Sequence, residues 1–372
     1  MTLRRRTPRA LALKGDKDMS NGGAALFRER DLLSNFSSLK YDLQQSDETR
    51  PLYTIPQSSY PVVSSDVHRA LSEVSNMALP GNYTLMTDTI IDLLGLLKET
   101  FSPRTWREAV LPAARTHAVA SLMHECPFTR HSYQRPRGYA GDAGLIDFVY
   151  RHPAARAAQE AATEAGRTVM AFTVNVTACE AVRERRSILA AKIDEAAARR
   201  RSPTILSLAC GHLREVELSI ALNEGRVGRL LALDQDAESL AVAGEYRGSV
   251  SHAIEVQQAT VRQILAGRTD LGRFDLIYAA GLYDYLDARV AARLTRVLFD
   301  HLNGGGRLVI PNFLWGVREE AYMEVFMDWY LLYRTSAEIQ DFTDEIAPAA
   351  IRSKRYSEDA ASTIGYLEIE RI

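Results

Sequence analysis

The chain has 372 residues, of which 46% are hydrophobic and 25% are charged. These values are ordinary for a folded protein, exclude disorder as the main state and leave room for about two domains. No stretch approaches the roughly 18 uninterrupted apolar residues of a membrane span, and the formal net charge of −2 does not favour nucleic acid as a partner. The cysteines Cys126, Cys179 and Cys210 show neither a disulfide framework nor zinc-binding spacing, so we expect a cytoplasmic protein.

The start of the chain differs in composition from the rest. Residues 1–18 are basic and have almost no hydrophobic period. The apolar run at residues 10–13 is too short for the hydrophobic region of a signal peptide. We interpret these residues as a tail, with Met19 as a plausible second start. Residues 1–60 are predicted to form a flexible or extended N-terminal segment.

Helical periodicity dominates residues 61–201. Val67, Leu71 and Val74 recur at three- and four-residue spacing, which is typical of an amphipathic helix. No clear strand pattern occurs in this part of the sequence. The further predicted helices are residues 83–100, 103–124 and 154–201, the last as one long helix or two. We therefore predict a helical cap domain over residues 61–201.

A loop rich in Arg, Tyr, Pro and Gly interrupts these helices at residues 126–143, CPFTRHSYQRPRGYAGDA. Glycines flank Tyr139, and such loops serve as lids over active sites. The planar guanidinium of Arg137 suits a carboxylate group, which it can bind through two hydrogen bonds. Asp142 is predicted to bind an ammonium group or to act as a base.

Short apolar runs alternate with helical stretches after Pro203. The runs predicted as strands are residues 204–209, 229–233, 254–259, 274–280, 307–311, 351–356 and 364–372. Helices separate the first five runs, which predicts βαβ units and a mostly parallel sheet, and the last two favour an antiparallel hairpin. Ligands of such sheets bind at the edge where the loops after the strands meet. Residues 202–372 are thus predicted to be a ligand-binding α/β domain.

Two residues at this edge indicate a nucleotide-type ligand. Gly211 follows the first strand, where a glycine lets the backbone approach a ligand closely. Asp234 follows the second strand, where an acid accepts hydrogen bonds from ribose hydroxyls. The glycine-rich GxGxxG pattern of dinucleotide sites is absent, so NAD fits poorly.

On these residues the chain resembles the class I S-adenosylmethionine-dependent methyltransferases over residues 202–372. The first motif of that superfamily reads acid-x-Gly-x-Gly-x-Gly, and it aligns with Ser207, Ala209, Gly211 and Leu213, so only the central glycine is kept. The resemblance implies a mostly parallel, seven-stranded Rossmann-like sheet and S-adenosyl-L-methionine as cofactor. The residues assigned to the cofactor on this basis are Ala209, Gly211, Asp234, Gln235, Thr260, Ala280 and Arg137. Glu215 or Glu217 is a candidate replacement for the lost acid.

A narrower resemblance rests on ACGHLRE, RPRGYAGDA, PNF and WYLLYR. These motifs are similar to a bacterial subfamily described as 3-hydroxypalmitic acid methyl ester biosynthesis proteins. The resemblance implies a helical N-terminal half that caps a methyltransferase core. It also implies methyl transfer to a small-molecule carboxylate such as a 3-hydroxy fatty acid.

Two other functions remain open at this point. Azetidine-2-carboxylate synthases, which cyclise S-adenosylmethionine and release methylthioadenosine, are built on a similar scaffold. A non-catalytic interaction protein on the same fold is the other alternative, and the eroded glycine motif supports it. The oligomeric state is left open.

The candidate catalytic and substrate-binding residues follow from the chemistry of a sulfonium group, which an aromatic ring face stabilises. The candidates for catalysis are Tyr139, Asp142, Tyr283 and Asn312. The candidates for the substrate pocket are Tyr285, Trp329, Tyr333 and Arg334, the last three on one predicted helix. No histidine has metal-site spacing, so no metal is expected, and His212 is interpreted as a surface loop residue.

Overall fold

A computed structural model describes residues 52–77 and 81–372. The predicted N-terminal tail and most of the predicted extended segment lie outside the described residues. No helix among the described residues is long and apolar enough to cross a membrane.

The C-terminal half is built around one seven-stranded sheet in the order β3-β2-β1-β4-β5-β7-β6. Its strands are β1 Thr204–Leu208, β2 Arg229–Asp234, β3 Ile254–Gln258, β4 Phe274–Tyr278, β5 Leu302–Phe313, β6 Ile351–Glu358 and β7 Ile364–Arg371. The first five strands are parallel, and β7 runs antiparallel to both β5 and β6. The predicted fold class, a mostly parallel Rossmann-like sheet with a helical N-terminal region, is confirmed.

The strand register determines which loops meet at the ligand edge. Strand β1 lies between β2 and β4, with Ser207 opposite both Ala232 and Tyr278. The chain therefore leaves these three strands at the same edge, since parallel strands end on the same side. The loop after β1 has the loop after β2 on one side and the loop after β4 on the other.

Helices form the N-terminal half and cover both faces of the sheet. The helices before the sheet are α1 Tyr60–Met77, α2 Tyr83–Thr100, α3 Pro103–Thr105, α4 Leu111–Thr116, α5 Ala118–Met123, α6 Pro127–Gln134, α7 Ala143–Val149, α8 Arg156–Glu160, α9 Glu164–Thr173 and α10 Thr177–Arg199. The later helices are α11 Ile220–Asn223, α12 Ala237–Ser249, α13 Val261–Leu265, α14 Ala288–Asp300, α15 Glu320–Phe326 and α16 Ser336–Gln340.

Three sequence predictions in the helical half need correction. The predicted helix at residues 103–124 is divided by a π-helical turn and by a break at His117, whose backbone is extended. The predicted loop at residues 126–143 contains α6, which Pro127 opens at its first position. The predicted helix or pair of helices at residues 154–201 is three helices, and the second of them, α9, begins after Thr163, whose side chain caps it.

The predicted helix containing Trp329 and Arg334 is also wrong. Helix α15 ends at Phe326, and Asp328 takes a left-handed φ of +48°, which stops the helix. The following residues run extended, and Arg334 pairs with Leu314 in an isolated bridge. This extended course carries Trp329 towards the ligand edge and Arg334 into the interior.

Helix α10 contributes to both the helical core and a core beside the sheet, as do strands β5 and β7. The N-terminal half of α10 buries Ala178, Cys179 and Val182 in the core of the helical layer. Its C-terminal half buries Leu189 and Ile193 against β1, β2 and β4. The helical core also takes in α15, although α15 follows β5 in the chain. The domain boundary at residues 201 and 202 remains a prediction.

Candidate active site

A cavity of about 310 Å³ lies between the helical layer and the ligand edge of the sheet. Its floor is the loops after β1, β2, β3 and β4, and its roof is residues 135–150, here called the roof segment. The predicted site residues that line it are Tyr139, Ala209, Gly211, Asp234, Gln235, Ala280, Tyr285 and Trp329. The other predicted site residues lie outside its lining.

The loop after β1 has an unusual backbone. Ala209, Gly211 and Leu213 all take left-handed φ angles, of +51°, +53° and +54°. These are the three positions that align with the glycines of the superfamily motif, and left-handed backbone favours glycine. The loop thus keeps a glycine-type conformation at two positions that carry side chains. The predicted helix behind this loop is only a 3₁₀ turn at Arg214–Glu217, followed by the short α11.

Asp234 is buried at the end of β2 and holds this loop in place. One carboxylate oxygen accepts a hydrogen bond from the Gly211 backbone N–H at 2.8 Å, and the other accepts from the Asp236 N–H at 2.9 Å. Each oxygen keeps a further lone pair. Because Asp234 also lines the cavity, it can accept hydrogen bonds from ligand hydroxyls without losing its structural contacts.

Two of the residues assigned to the cofactor instead stabilise local structure. Thr260 caps α13, with its side chain accepting from the Gln263 N–H in a capping box, while its neighbours Ala259 and Val261 line the cavity. Arg137 donates to Asp236 at 2.9 Å and to Ser239 at 2.7 Å. Arg137 thus fastens the roof segment to the start of α12 and does not contact the cavity.

Asp142, a predicted catalytic residue, is the N-cap of α7. Its Oδ1 accepts from the Leu145 N–H at 2.8 Å and lies 2.8 Å from His131 Nε2. The side chain is fully buried and does not line the cavity. The neighbouring Tyr139 does line it, and burial together with Asp234 and Asp236 raises the pKa of its phenol.

The rim of the cavity is an aromatic contact between two distant parts of the chain. Trp329 Nε1 donates to the Tyr285 hydroxyl at 2.7 Å, and Tyr285 is 44% exposed. Gly141 of the roof segment packs against this pair, and a Cβ there would lie 2.2 Å from the Tyr285 oxygen. A side chain at this position would displace one of the two aromatic rings, so roof and rim are in close contact.

The remaining predicted residues form a buried polar cluster behind the rim. Arg334 donates to the Tyr283 carbonyl at 2.8 Å and to the Asn312 side-chain oxygen. Tyr283 is fully buried, with its hydroxyl 3.0 Å from Thr295 Oγ1. Tyr333 packs against Phe313 and is also buried. These four residues connect the loop after β4 to the end of β5 and do not line the cavity.

A buried charged cluster, the Asp147 cluster, joins the roof segment to the loop after β1. Asp147 of α7 lies 2.9 Å from His212 Nδ1 and accepts two hydrogen bonds from Arg214, each at 2.8 Å. Burial opposes ionisation of Asp147, but the hydrogen bonds from Arg214 and His212 lower its pKa to about 2. The interpretation of His212 as a surface residue is wrong, because the contact with α7 buries its ring.

A second charged pair, Arg185 of α10 and Asp284 of the loop after β4, also lines the cavity. Both are buried, yet Arg185 Nη1 and Asp284 Oδ2 are 3.9 Å apart, beyond hydrogen-bond distance. Arg185 Nε has no hydrogen-bond partner among the described residues. Burial raises the pKa of Asp284 to about 6, although Arg185 and the Phe313 N–H act against this.

The sequence analysis did not identify this Arg185 pair, although one signal was available. Arg185 stands three residues after Val182 and four before Leu189, and both of these are buried. An arginine in the apolar phase of a helix is a candidate for a buried function, because such charges are seldom buried without a partner. No comparable pattern marks Asp284, which lies in a loop.

Glu215 lies beside Ser207, the residue that aligns in sequence with the motif acid. Its carboxylate accepts from the Tyr278 hydroxyl at 2.7 Å and lies 3.4 Å from Ser207 Oγ. Glu215 is buried and lines the cavity, and burial raises its pKa. Glu217 contacts Arg186 instead and lies outside the lining. Within the described ranges no three Asp, Glu, His or Cys side chains converge as metal ligands do.

Neither a family model nor a curated protein matches this sequence. The fold is similar to that of a possible exported protein from Bordetella parapertussis, at 14% identity and a TM-score of 0.51, covering 86% of this chain and 99% of that chain. A second match is the N-methyltransferase NodS from Bradyrhizobium japonicum with bound S-adenosyl-L-homocysteine, at 15% identity and a TM-score of 0.38. This match covers 51% of this chain and 87% of the NodS chain. Magnesium protoporphyrin IX methyltransferase ChlM from Synechocystis, at 12% identity and a TM-score of 0.39, covers 53% and 88%. At these identities the likeness concerns the fold alone.

Proposed function

We propose that this chain is an S-adenosylmethionine-dependent methyltransferase that acts on a small molecule. The observation that carries the proposal is the pairing, in one cavity, of Asp234 with the incompletely partnered guanidinium of Arg185. The two residues belong to walls on opposite sides of the loop after β1. This arrangement suits a ligand with a ribose at one end and a carboxylate at the other.

The residues present fit S-adenosylmethionine at each end of the cavity. Asp234 would accept hydrogen bonds from the ribose hydroxyls, and Arg185 would bind the methionyl carboxylate, since a buried guanidinium favours an anion. Glu215 is the candidate partner for the ammonium group, because it lies beside the position of the lost motif acid. Gly211 lines the cavity and lets the loop after β1 pack closely against the roof segment, since a Cβ there would lie 3.1 Å from Ala143.

When bound, S-adenosylmethionine supplies a sulfonium carbon that accepts a nucleophile. The protein's part is to align the nucleophile and to exclude water. Tyr139 and the Tyr285–Trp329 contact present aromatic groups to the cavity, and these stabilise a nearby cation by roughly 0.5–2 kcal/mol. Of the four predicted catalytic residues, Tyr139 is therefore kept in this proposal.

The acceptor is proposed to be small. A cavity of about 310 Å³ is near the lower end of the roughly 300–1,000 Å³ typical of ligand pockets, so the cofactor leaves little space. A carboxylic acid such as a 3-hydroxy fatty acid is the acceptor that the sequence resemblance implies, and short-chain members of that class suit this volume best. A cytoplasmic location and a small-molecule rather than nucleic-acid partner are parts of the same proposal.

Cyclisation of S-adenosylmethionine to azetidine-2-carboxylate is a second candidate function. The small volume of the cavity favours it, because an intramolecular reaction needs no space for a second substrate. The two reactions differ in their products. Methyl transfer releases S-adenosylhomocysteine, whereas cyclisation releases methylthioadenosine.

Titration calorimetry with S-adenosylmethionine and S-adenosylhomocysteine tests the proposal directly. We expect saturable one-site binding, weakened at least tenfold in Asp234→Ala and less in Asp234→Asn, which keeps one acceptor oxygen. Thr260→Val, at a predicted site residue that lies outside the cavity, is the matched control and should bind as the wild type does. Absence of binding at millimolar ligand would favour the interaction-protein alternative.

A further inference from the structure

We propose that Asp284 is the proton acceptor for an ammonium group that becomes the nucleophile in this cavity. This inference rests on the proposed binding of S-adenosylmethionine. It concerns a residue outside the sequence-predicted set, and it specifies the chemical class of the nucleophile.

The Asp284 carboxylate is fixed on one side and unoccupied on the other. Its Oδ1 accepts a hydrogen bond from the Phe313 N–H at 2.7 Å, and its backbone carbonyl accepts from the Leu332 N–H at 2.7 Å. No described residue donates a hydrogen bond to Oδ2, whose nearest cation is Arg185 at 3.9 Å. Since Asp284 lines the cavity, Oδ2 is the oxygen available to a ligand.

The charges around Asp284 leave it suited to proton transfer. Arg185 faces it from α10, and Arg334 faces it from the extended segment after α15. The phenols of Tyr285 and Tyr333 are the other titratable groups nearby. Burial outweighs both arginines and raises the pKa of Asp284 to about 6, close to neutral pH, where a general base is most effective.

The position of this carboxylate discriminates between nucleophiles. The carboxylic acid acceptor that the sequence resemblance implies is already ionised and needs no base, and a second anion beside buried Asp284 would be repelled. Asp284 therefore favours a different class of nucleophile. An ammonium group is attracted to Oδ2 and has to lose a proton before its nitrogen can attack. Arg185 beside it is the proposed partner of the methionyl carboxylate, so the α-amino group of S-adenosylmethionine can reach Asp284 in place of Glu215. If Glu215 holds that ammonium group, Asp284 is left for the amine of a second substrate.

The proposed step balances as follows. The ammonium group R–NH₃⁺ gives one proton to the Asp284 carboxylate and leaves the amine R–NH₂ and a neutral carboxylic acid. The nitrogen lone pair then forms the N–C bond, while the electron pair of the breaking C–S bond goes to sulfur, which becomes a neutral thioether. The positive charge passes from sulfur to nitrogen.

Two sources can supply the amine, and two assays separate them. Wild-type protein is incubated with S-adenosylmethionine alone, and then with S-adenosylmethionine and a set of small α-amino acids. Methylthioadenosine in the first assay identifies the ligand's own amine, and S-adenosylhomocysteine that depends on the added amino acid identifies a second substrate. S-adenosylhomocysteine binding gives an independent readout. Asp284→Asn should weaken this binding at least tenfold if Asp284 contacts the ligand's own ammonium group, and should leave it unchanged if the amine comes from a second substrate.

In either case we expect Asp284→Asn to lower turnover by about 10²–10⁴-fold, the usual contribution of a general base. The wild-type rate should fall as the pH drops through about 6, and the residual rate of the variant should lack this acid limb. Asp284→Glu, which restores the carboxylate at a shifted position, should recover part of the rate. Asp300→Asn, at an exposed aspartate at the end of α14, is the matched control and should keep the wild-type rate.

Several results would overturn this proposal while leaving the proposed function intact. These are turnover with carboxylic acids but not with amines, no turnover in either amine assay, or an Asp284→Asn variant with wild-type rate and pH profile. If Asp284→Asn does not fold, the pH profile of the wild type decides instead. A wild-type rate that does not fall as the pH drops through about 6 would overturn the proposal. Failure of wild-type protein to bind S-adenosylmethionine would instead reject the proposed function itself.

Discussion

The Asp147 cluster and the Arg185 pair are both buried, both charged and both on the wall of the same cavity, yet they differ in hydrogen bonding. Asp147 accepts two hydrogen bonds from Arg214 and contacts His212, so its charge is fully compensated within the protein. Arg185 and Asp284 approach only to 3.9 Å. Buried charges are costly unless they are paired and hydrogen-bonded.

The difference separates a structural role from a binding role. A compensated cluster that links α7 to the loop after β1 holds roof and floor together. An uncompensated pair stabilises the folded protein less than it could, and both of its side chains line the cavity in which a ligand would bind. The same residue types therefore have opposite expected effects when they are replaced.

The largest effect is expected for Asp147→Asn. The substitution removes the carboxylate that accepts two hydrogen bonds from the buried Arg214 and leaves Glu217, at 3.5 Å, as the remaining anion. Breaking a buried pair in this way costs about 3–5 kcal/mol of unfolding free energy. The folded pKa of Asp147, about 2, is below the unfolded value of about 3.9. Its stabilisation is therefore present above pH 4 and is lost as the pH falls towards 2. Urea unfolding of the wild type and the variant at pH 7.5 and pH 3 measures the cost of the substitution and its pH dependence. An equal loss of unfolding free energy at the two pH values would contradict the lowered pKa of Asp147.

Asp284→Asn should instead stabilise the folded protein at neutral pH. The folded pKa of about 6 exceeds the unfolded value of about 3.9, so ionisation of Asp284 costs about 3 kcal/mol. The free energy of unfolding of the wild type therefore falls as the pH rises from about 4 to 6, because the unfolded chain ionises Asp284 more easily than the folded protein does. The variant has no carboxyl to ionise at this position and lacks this fall. The gain should be near 3 kcal/mol at pH 7.5 and near zero at pH 4. A destabilised variant at pH 7.5 would show that Asp284 is compensated like Asp147.

Arg185→Met is expected to weaken S-adenosylhomocysteine binding about 30–100-fold, since a charged hydrogen bond contributes about 2–3 kcal/mol. Arg185→Lys should lose less affinity than Arg185→Met, because lysine keeps the positive charge. It should still bind more weakly than the wild type, because it lacks the planar guanidinium that can donate two parallel hydrogen bonds. Calorimetry measures both affinities. Arg296→Met, at an exposed position on α14, is the control for loss of an arginine. Wild-type affinity in Arg185→Met would place the ligand carboxylate elsewhere.

The smallest effect is expected in the loop between the two charged sites. Ala209 holds a left-handed φ, so Ala209→Gly should raise the free energy of unfolding by up to about 1 kcal/mol. Gly211→Ala is the matched opposite, because it adds strain and a contact 3.1 Å from Ala143, and it should destabilise. Thermal denaturation compares the pair, and shifts of the same sign would contradict this account of the loop.

The sheet and its ligand edge were predictable from the sequence because local patterns encode them. Apolar runs of five or six residues marked β1 and β2, and Gly211 and Asp234 followed directly after them. The positions of Arg334 and Asn312 were not predictable in the same way. Asn312 lies within β5, but its partner Arg334 reaches it through the segment after α15, which begins at the left-handed residue Asp328.

The residues on the roof side of the cavity depend on contacts between distant parts of the chain. Tyr139 and Asp142 stand three residues apart, but only Tyr139 lines the cavity, because capping of α7 turns Asp142 inward. Arg185 and Asp284 meet across 99 positions of sequence. Periodicity and motif spacing carry no information about such pairs.

Helix α10 has a mechanical consequence for access to the cavity. One half of this continuous 23-residue rod is embedded in the helical core and the other half in the core beside the sheet. The helical layer and the sheet therefore cannot separate by a hinge motion about residue 201 without bending α10 or disrupting one of the two cores. Passage of a ligand would then depend on the roof segment, which Arg137 fastens to α12 and the Asp147 cluster fastens to the loop after β1.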